Sequence, residues 1–365
     1  MKNILIVIGT RPEAVKMCPL VLELKKRGAP GVRVLATGQH GEMLSSALGF
    51  FGVAPDYVLD AAGGALADIT ERVMRGTGEV LVRERFDAAL VHGDTSSAFA
   101  AALAAFYARV PVYHVEAGLR TRNIREPYPE EFNRAAIDAM ADIFFAPTAR
   151  AMENLLAEGK ERGRIFVTGN TGIDSLAYTV RSHFSHPALD FARGKKLMLI
   201  TAHRRENLGE GMAATFRGIS RALALFPGWC AVFPVHKNPA VRACAEAAFG
   251  GNAQVMLAEP MGVFDFHNLL ARAHLVVTDS GGVQEEAAHL GVPLMVTRSV
   301  TERQEAADTG AARLIGTEEK RIFAELCAFL GGAERNEKPA AENIFGDGRA
   351  SERIADILAG KPCFT

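Results

Sequence analysis

The chain has 365 residues, 48% of them hydrophobic and 23% charged, and a formal net charge of -1. That length predicts two domains with sizeable apolar cores rather than one or three. Near-neutral charge argues against a nucleic-acid or anionic-membrane surface as the main partner and leaves room for a local basic pocket. Residues 4–8 read as a buried strand, followed by the turn Gly9-Thr10-Arg11-Pro12 and a helix to about residue 27. Pro12 and Glu13 suit the start of that helix. Arg11 in the turn and Lys16 just beyond it are placed to hold an anion at the C-terminal end of a parallel strand, the usual ligand edge of an open α/β sheet. The alternative for this pair is an ordinary solvated basic face.

Residues 32–36 predict a second strand, with Thr37-Gly38-Gln39-His40-Gly41 as its loop and an irregular stretch at 52–64. A helix is predicted over 68–85, a strand over 88–91, the loop His92-Gly93-Asp94-Thr95, and an Ala-rich helix over 96–108. Asp94 taken alone reads better as a helix cap than as an active-site carboxylate. The strand over 111–115 delivers Glu116 at its C-terminal end, where a carboxylate is hard to explain by packing. The polar loop over 119–129 follows, with Arg120, Arg122 and Arg125 in it and Arg134 beyond. A long loop at that edge is more often functional than idle. Pro129-Glu130-Glu131 starts a helix to Met140, where the acids also complement the helix dipole. Strands over 143–145 and 165–167 complete the first half.

The second half begins near Gly169-Asn170-Thr171-Gly172, and residues 181–196 read as loop-rich. Strands are predicted over 197–200, 231–235, 255–257, 275–277 and 293–296. The first is followed by Thr201-Ala202-His203-Arg204-Arg205-Glu206-Asn207 and the second by His236-Lys237-Asn238-Pro239. A helix is predicted over 264–273. The strand at 275–277 turns at Asp279-Ser280-Gly281-Gly282 into a helix containing Glu285 and Glu286. The glycines allow close backbone approach, and the N–H groups of a helix's first turn favour a phosphate or diphosphate. Both glutamates are assigned to that first turn. Ser280, Gly281 and Gly282 then face the phosphate and one glutamate faces the ribose, unless the glycines only make a turn and the acids only cap it. A last helix is predicted over 350–358.

The fold class is therefore α/β, with two Rossmann-like doubly wound parallel-sheet domains and an interdomain cleft. The expected divisions are residues 1–170, residues 171–345, and a terminal segment, 346–365, crossing back to the first domain. The cysteines, Cys18, Cys230, Cys244, Cys327 and Cys363, are scattered and lack paired metal-ligand spacing, which fits a reduced cytosolic setting. No signal-peptide pattern and no bilayer-length apolar run is expected.

Taken in order, Gly9-Thr10-Arg11-Pro12-Glu13-Ala14, Thr37-Gly38-Gln39-His40, His92-Gly93-Asp94-Thr95, His114-Val115-Glu116-Ala117-Gly118-Leu119-Arg120-Thr121, Pro129-Glu130-Glu131, His203-Arg204-Arg205-Glu206 and Thr278-Asp279-Ser280-Gly281-Gly282-Val283-Gln284-Glu285-Glu286 resemble the non-hydrolysing UDP-N-acetylglucosamine 2-epimerases. The match spans nearly the whole chain, including Gly346-Asp347-Gly348. The resemblance implies a glycosyltransferase-B-type fold and interconversion of UDP-N-acetylglucosamine and UDP-N-acetylmannosamine through UDP and 2-acetamidoglucal. It implies a UDP-sugar as the partner, a cytoplasmic homodimer, no membrane or nucleic-acid partner, and no metal or nicotinamide cofactor. By the same resemblance Asp94, Glu116 and Glu130 are the catalytic acids, with His203 and Lys16 also in the active site. Arg11, His236, Ser280, Gly281 and Gly282 bind UDP, and Glu286 binds the ribose diol.

Some family members take UDP-N-acetylglucosamine as an allosteric activator, which makes Gln39, His40 and Arg204 a candidate regulatory site. Here Glu42 stands where those members have glutamine, and the downstream segment reads Ala62-Gly63-Gly64-Ala65-Leu66. Arg122 stands where glycine is common, and Gln304 where proline is usual. An epimerase of a modified UDP-N-acetyl sugar is one alternative. A glycosyltransferase of the same fold and a non-catalytic UDP-sugar sensor are two more, and the acid trio argues against both.

Overall fold

A computed structural model describes residues 3–29, 31–204, 207–299, 301–332 and 343–361. The chain divides into two units. One comprises Met1–Tyr178 and Phe345–Thr365, and the other Thr179–Ile344.

The first unit runs β1 (Ile4–Ile8), α1 (Arg11–Lys26), β2 (Val32–Ala36), α2 (Gly41–Phe50), β3 (Tyr57–Val58), α3 (Leu66–Arg83), β4 (Ala88–His92), α4 (Ser96–Tyr107), β5 (Val112–Val115), α5 (Glu130–Met140), β6 (Ile143–Ala146), α6 (Ala149–Ala157), β7 (Ile165–Val167) and α7 (Thr171–Thr179). Its strands are parallel in the order β3-β2-β1-β4-β5-β6-β7. Ile6 stands opposite Val34 on one side and Leu90 on the other. The order reverses between β1 and β4, a switch point whose flanking turns carry Arg11 and Asp94. The central strands are buried on both faces, which is why they read as continuous apolar runs instead of alternating ones.

The second unit contains α8 (Pro187–Phe191), β8 (Lys196–Thr201), α9 (Glu210–Leu225), β9 (Trp229–Pro234), α10 (Pro239–Phe249), β10 (Val255–Ala258), α11 (Val263–Leu270), β11 (Leu275–Thr278), α12 (Gly281–His289), β12 (Leu294–Val296), α13 (Gln304–Asp308), β13 (Ala312–Leu314) and α14 (Glu319–Gly331). Its parallel order is β10-β9-β8-β11-β12-β13, so β8 and β11 flank its own switch point. Thr201 and Thr278 pair there, and their hydroxyls meet at 2.5 Å.

The last helix, α15 (Ala350–Leu358), belongs to the first unit. Ile354, Ala355 and Leu358 join the core that contains Ile4, Ile6, Leu20 and Leu24. Burying the two large side chains contributes roughly 1.5–3 kcal/mol each. Asp174 accepts hydrogen bonds from the Ala350 and Ser351 amides, and Arg27 pairs with Asp356 at 2.7 Å.

Helix α12 differs from expectation. It begins at Gly281, so Glu285 and Glu286 lie in its second turn rather than its first. Neither Gly281 nor Gly282 takes a left-handed conformation. Gly281 is small because Arg303 lies against it: a Cβ there would stand 2.9 Å from Arg303 Nη1. Cys18, Cys230, Cys244 and Cys327 are free thiols, while Cys363 lies outside the described residues. Among the described residues no helix is long and apolar enough to cross a membrane.

Candidate active site

In the first unit the turn after β1 is built by a capping box. Thr10 caps α1, and the Glu13 carboxylate accepts the backbone N–H groups of Gly9 and Thr10. Its other oxygen accepts the Thr95 hydroxyl. Burial pushes the Glu13 carboxyl up to about 7, against the lowering effect of these hydrogen bonds, and the nearby Asp94 charge adds to the rise. Thr95 also caps α4, accepting the Ala98 amide at 3.0 Å. Asp94 is therefore not the cap. Its carboxylate faces the fully buried Arg134 at 3.1 Å, and Asn133 holds its carbonyl at 2.8 Å.

Glu116 leaves β5 with φ of 67°, in the left-handed region. For a residue with a side chain this costs about 1–2 kcal/mol and persists where the surroundings enforce it, as at functional sites. Its carboxylate is buried, forms an ion pair with Lys16, and accepts a hydrogen bond from Asn170 at 2.8 Å. His92 Nε2 stands 3.7 Å away. Lys16 is thus buried on a carboxylate and not part of a solvated basic face. Glu130 is the first residue of α5 and is half-buried. Its neighbour Glu131 anchors the 119–129 loop, accepting the Thr121 and Arg122 amides at 2.9 Å each. Arg122 has φ of 64°, which explains physically why glycine suits that position.

Arg11 is half-buried, and its amide points to His40 Nδ1 at 3.4 Å. Gln39 Oε1 accepts the Ser97 hydroxyl at 2.6 Å. The described contacts therefore bring Lys16, Glu116, Asn170 and His92 together, and join Asp94 to Glu131 through Arg134. Sequence reasoning gave no site role to Asn170, His92 or Glu13. The Thr10-x-x-Glu13 spacing carries the capping-box signal for the last of these, but nothing local marks Asn170.

In the second unit the buried Asp279 accepts the amides of His203 and Arg204 at 3.0 Å each, tying the loop after β8 to the end of β11. The His203 ring stacks on His236, with centroids 6.0 Å apart. Arg205 and Glu206 of the same motif lie outside the described residues. Ser280 stands at the N-cap of α12 with no side-chain capping bond. The structure distinguishes the two glutamates. Glu285 is bound by Arg303 at 2.8 Å, whereas Glu286 faces His267 at 3.3 Å. Arg204 pairs with Glu302 at 3.5 Å. Among the described residues no group of three or more His, Cys, Asp or Glu side chains is arranged to hold a metal ion.

Two parallel sheets of seven and six strands, each with polar side chains at its C-terminal strand ends, define a glycosyltransferase-B-type protein. A glycotransferase of kitacinnamycin shares that fold at 14% identity, with a TM-score of 0.63 over 99% of each chain, a likeness of fold alone. The model of the UDP-N-acetylglucosamine 2-epimerase family matches residues 22–359. The UDP-N-acetylglucosamine 2-epimerase of Bacillus subtilis (strain 168) is 48% identical over 359 residues, covering 98% of this chain and 94% of the relative. The structure of the Neisseria meningitidis UDP-GlcNAc 2-epimerase bound to UDP-GlcNAc matches with a TM-score of 0.93 at 38% identity, covering 98% of this chain and 100% of that one. The chain belongs to the UDP-N-acetylglucosamine 2-epimerase family.

Proposed function

We propose that this enzyme interconverts UDP-N-acetylglucosamine and UDP-N-acetylmannosamine by elimination and re-addition. The C2 proton passes to a protein base as the C1–O bond to UDP breaks, giving 2-acetamidoglucal and UDP. UDP then re-forms its bond to C1 while C2 takes a proton on the opposite face. A C2–H is a poor acid, so C1–O cleavage runs ahead and positive charge develops at C1, which carboxylates stabilise. Asp94, Glu116 and Glu130 are assigned to that charge and to the two proton transfers. Lys16 pairs with the Glu116 carboxylate and orients it. Arg11, His203, His236 and the Ser280-Gly281-Gly282 turn are assigned to the departing diphosphate, and Glu286 to the ribose diol. Gln39, His40 and Arg204 are the candidate site for regulation by a second nucleotide sugar, and the departures at Glu42 and over 62–66 count against it. The family resemblance and the scattered cysteines support a homodimer in a reducing cytoplasm.

The observation that carries this reading is Glu116. A carboxylate in a left-handed turn at the C-terminal end of a strand, buried against a lysine, serves chemistry better than packing. Glu116→Gln tests it. The variant is expected to bind UDP within about threefold of wild type and to lose about 100- to 10,000-fold in turnover, the range of general acid–base catalysis. Unchanged turnover would remove Glu116 from the mechanism.

A further inference from the structure

Asp138 lies on α5, fully buried, and no step above uses it. Its Oδ1 faces His114 Nδ1 at 2.6 Å. Its Oδ2 accepts hydrogen bonds from the Gly118 amide at 3.2 Å and from Arg120 Nη2 at 2.7 Å. His114 and Gly118 stand two residues before and two residues after Glu116. One carboxylate therefore closes the left-handed turn at Glu116 from both sides.

The second ring nitrogen of His114 reaches further. Nε2 faces the carbonyl of Gly93, the residue before Asp94, at 2.8 Å. Both nitrogens of this buried ring lie within hydrogen-bond distance of an oxygen, Asp138 Oδ1 on one side and the Gly93 carbonyl on the other. The loop that carries Asp94 is thereby referred to the same carboxylate as the loop that carries Glu116. Arg120 completes the arrangement, since Glu158 grips it through Nε at 2.7 Å and Nη2 at 2.8 Å. Burial pushes the Asp138 carboxyl up, but the adjacent His114 and Arg120 more than offset this and hold it below its ordinary value. Buried ionic clusters are often matched or exceeded in stability by an apolar core of similar volume. What an apolar core does not supply is a fixed position for the Gly118 N–H and the Gly93 carbonyl on either side of two acids.

We propose that Asp138, acting through His114 and Gly118, is a positioning residue that sets the Asp94 and Glu116 loops for the reaction. The proposal rests on the epimerase reading and adds to it a residue that touches no substrate. Misplacing a reacting group by about an ångström costs on the order of 100-fold in rate without weakening binding made elsewhere. The substitution Asp138→Asn in the full-length enzyme keeps the shape and removes the charge.

Its kcat is expected to fall about 10- to 100-fold. KM and UDP affinity should stay within about threefold of wild type, because the residues assigned to UDP on the second unit are untouched. The primary isotope effect on kcat with C2-deuterated substrate should rise, since proton removal becomes the slower step. His114→Asn, which keeps a donor near Asp138 and releases Gly93, should give a smaller loss of the same kind. If Asp138→Asn does not fold, His114→Asn decides by the same comparison of kcat with KM. Unchanged kcat in a folded variant would overturn the proposal, as would equal losses in kcat and UDP affinity. Unfolding of both variants would assign the cluster to the fold and also overturn it. Absence of C2 exchange in the wild type would instead refute the epimerase reading, so the two failures are distinguishable.

Discussion

Glu13 offers a pH-dependent stability test of the turn on which Arg11 sits. Its carboxyl is buried and pushed from 4.5 to about 7 in the folded chain. A folded-state pKa above the unfolded value means that the folded protein holds the proton more tightly. The stability contribution is fully present below pH 4.5 and is lost as pH rises through about 7. The size of the shift corresponds to about 3 kcal/mol. Glu13→Gln is neutral throughout and can still accept the Gly9 and Thr10 amides. Relative to wild type, the variant should therefore gain about 3 kcal/mol between pH 4.5 and about pH 8. Fluorescence of the single tryptophan, Trp229, reports on the second unit and is the wrong probe. Amide hydrogen exchange of β1 and α4 reads the opening free energy of the first unit directly. Parallel pH profiles for the two proteins would refute the reasoning and would mean that the three hydrogen bonds to Glu13 fully offset its burial.

Two further substitutions separate packing from ligand contact. Gly282→Ala meets open space and no left-handed backbone, so it should stabilise α12 by roughly 0.5–1 kcal/mol. If the Gly282 backbone faces phosphate, UDP affinity measured by calorimetry should nonetheless fall. Gly281→Ala places a methyl against Arg303 and should destabilise by about 1–3 kcal/mol, read as a lower urea midpoint of the second unit. Arg122→Gly should relieve the left-handed strain at that loop position, net of the greater unfolded-state freedom of glycine. A gain of up to about 1 kcal/mol in thermal unfolding is expected, and a loss would show that the Arg122 side chain holds the loop.

The strands of both sheets could be read from the sequence because parallel central strands are buried on both faces and appear as apolar runs. Residues 4–8 and 32–36 match β1 and β2 residue for residue. Helix α2 went unread, and its small residues and two glycines carry little apolar periodicity. The two-residue strand β3 is defined by pairing to β2 and by nothing local. The start of α12 at Gly281 is not legible locally, because the Ser-Gly-Gly run carries the signal of a turn. The site residues stood out where chemistry and position coincide, as at Glu116 after an apolar strand. Asp138, His114 and Asn170 did not, because their roles consist of contacts between distant segments, as between His114 and Asp138 at a separation of 24 residues. Asp94 was ambiguous for a related reason. Only the side chains show that the adjacent Thr95 makes the cap and leaves Asp94 to Arg134.

The most direct test of the proposed reaction is proton NMR of UDP-N-acetylglucosamine incubated with the enzyme in deuterated water. Elimination and re-addition require UDP-N-acetylmannosamine to form with deuterium at C2, and the returning UDP-N-acetylglucosamine to acquire deuterium at the same carbon. Persistence of the C2–H signal with no second sugar nucleotide, or release of free N-acetylmannosamine, would contradict that reaction.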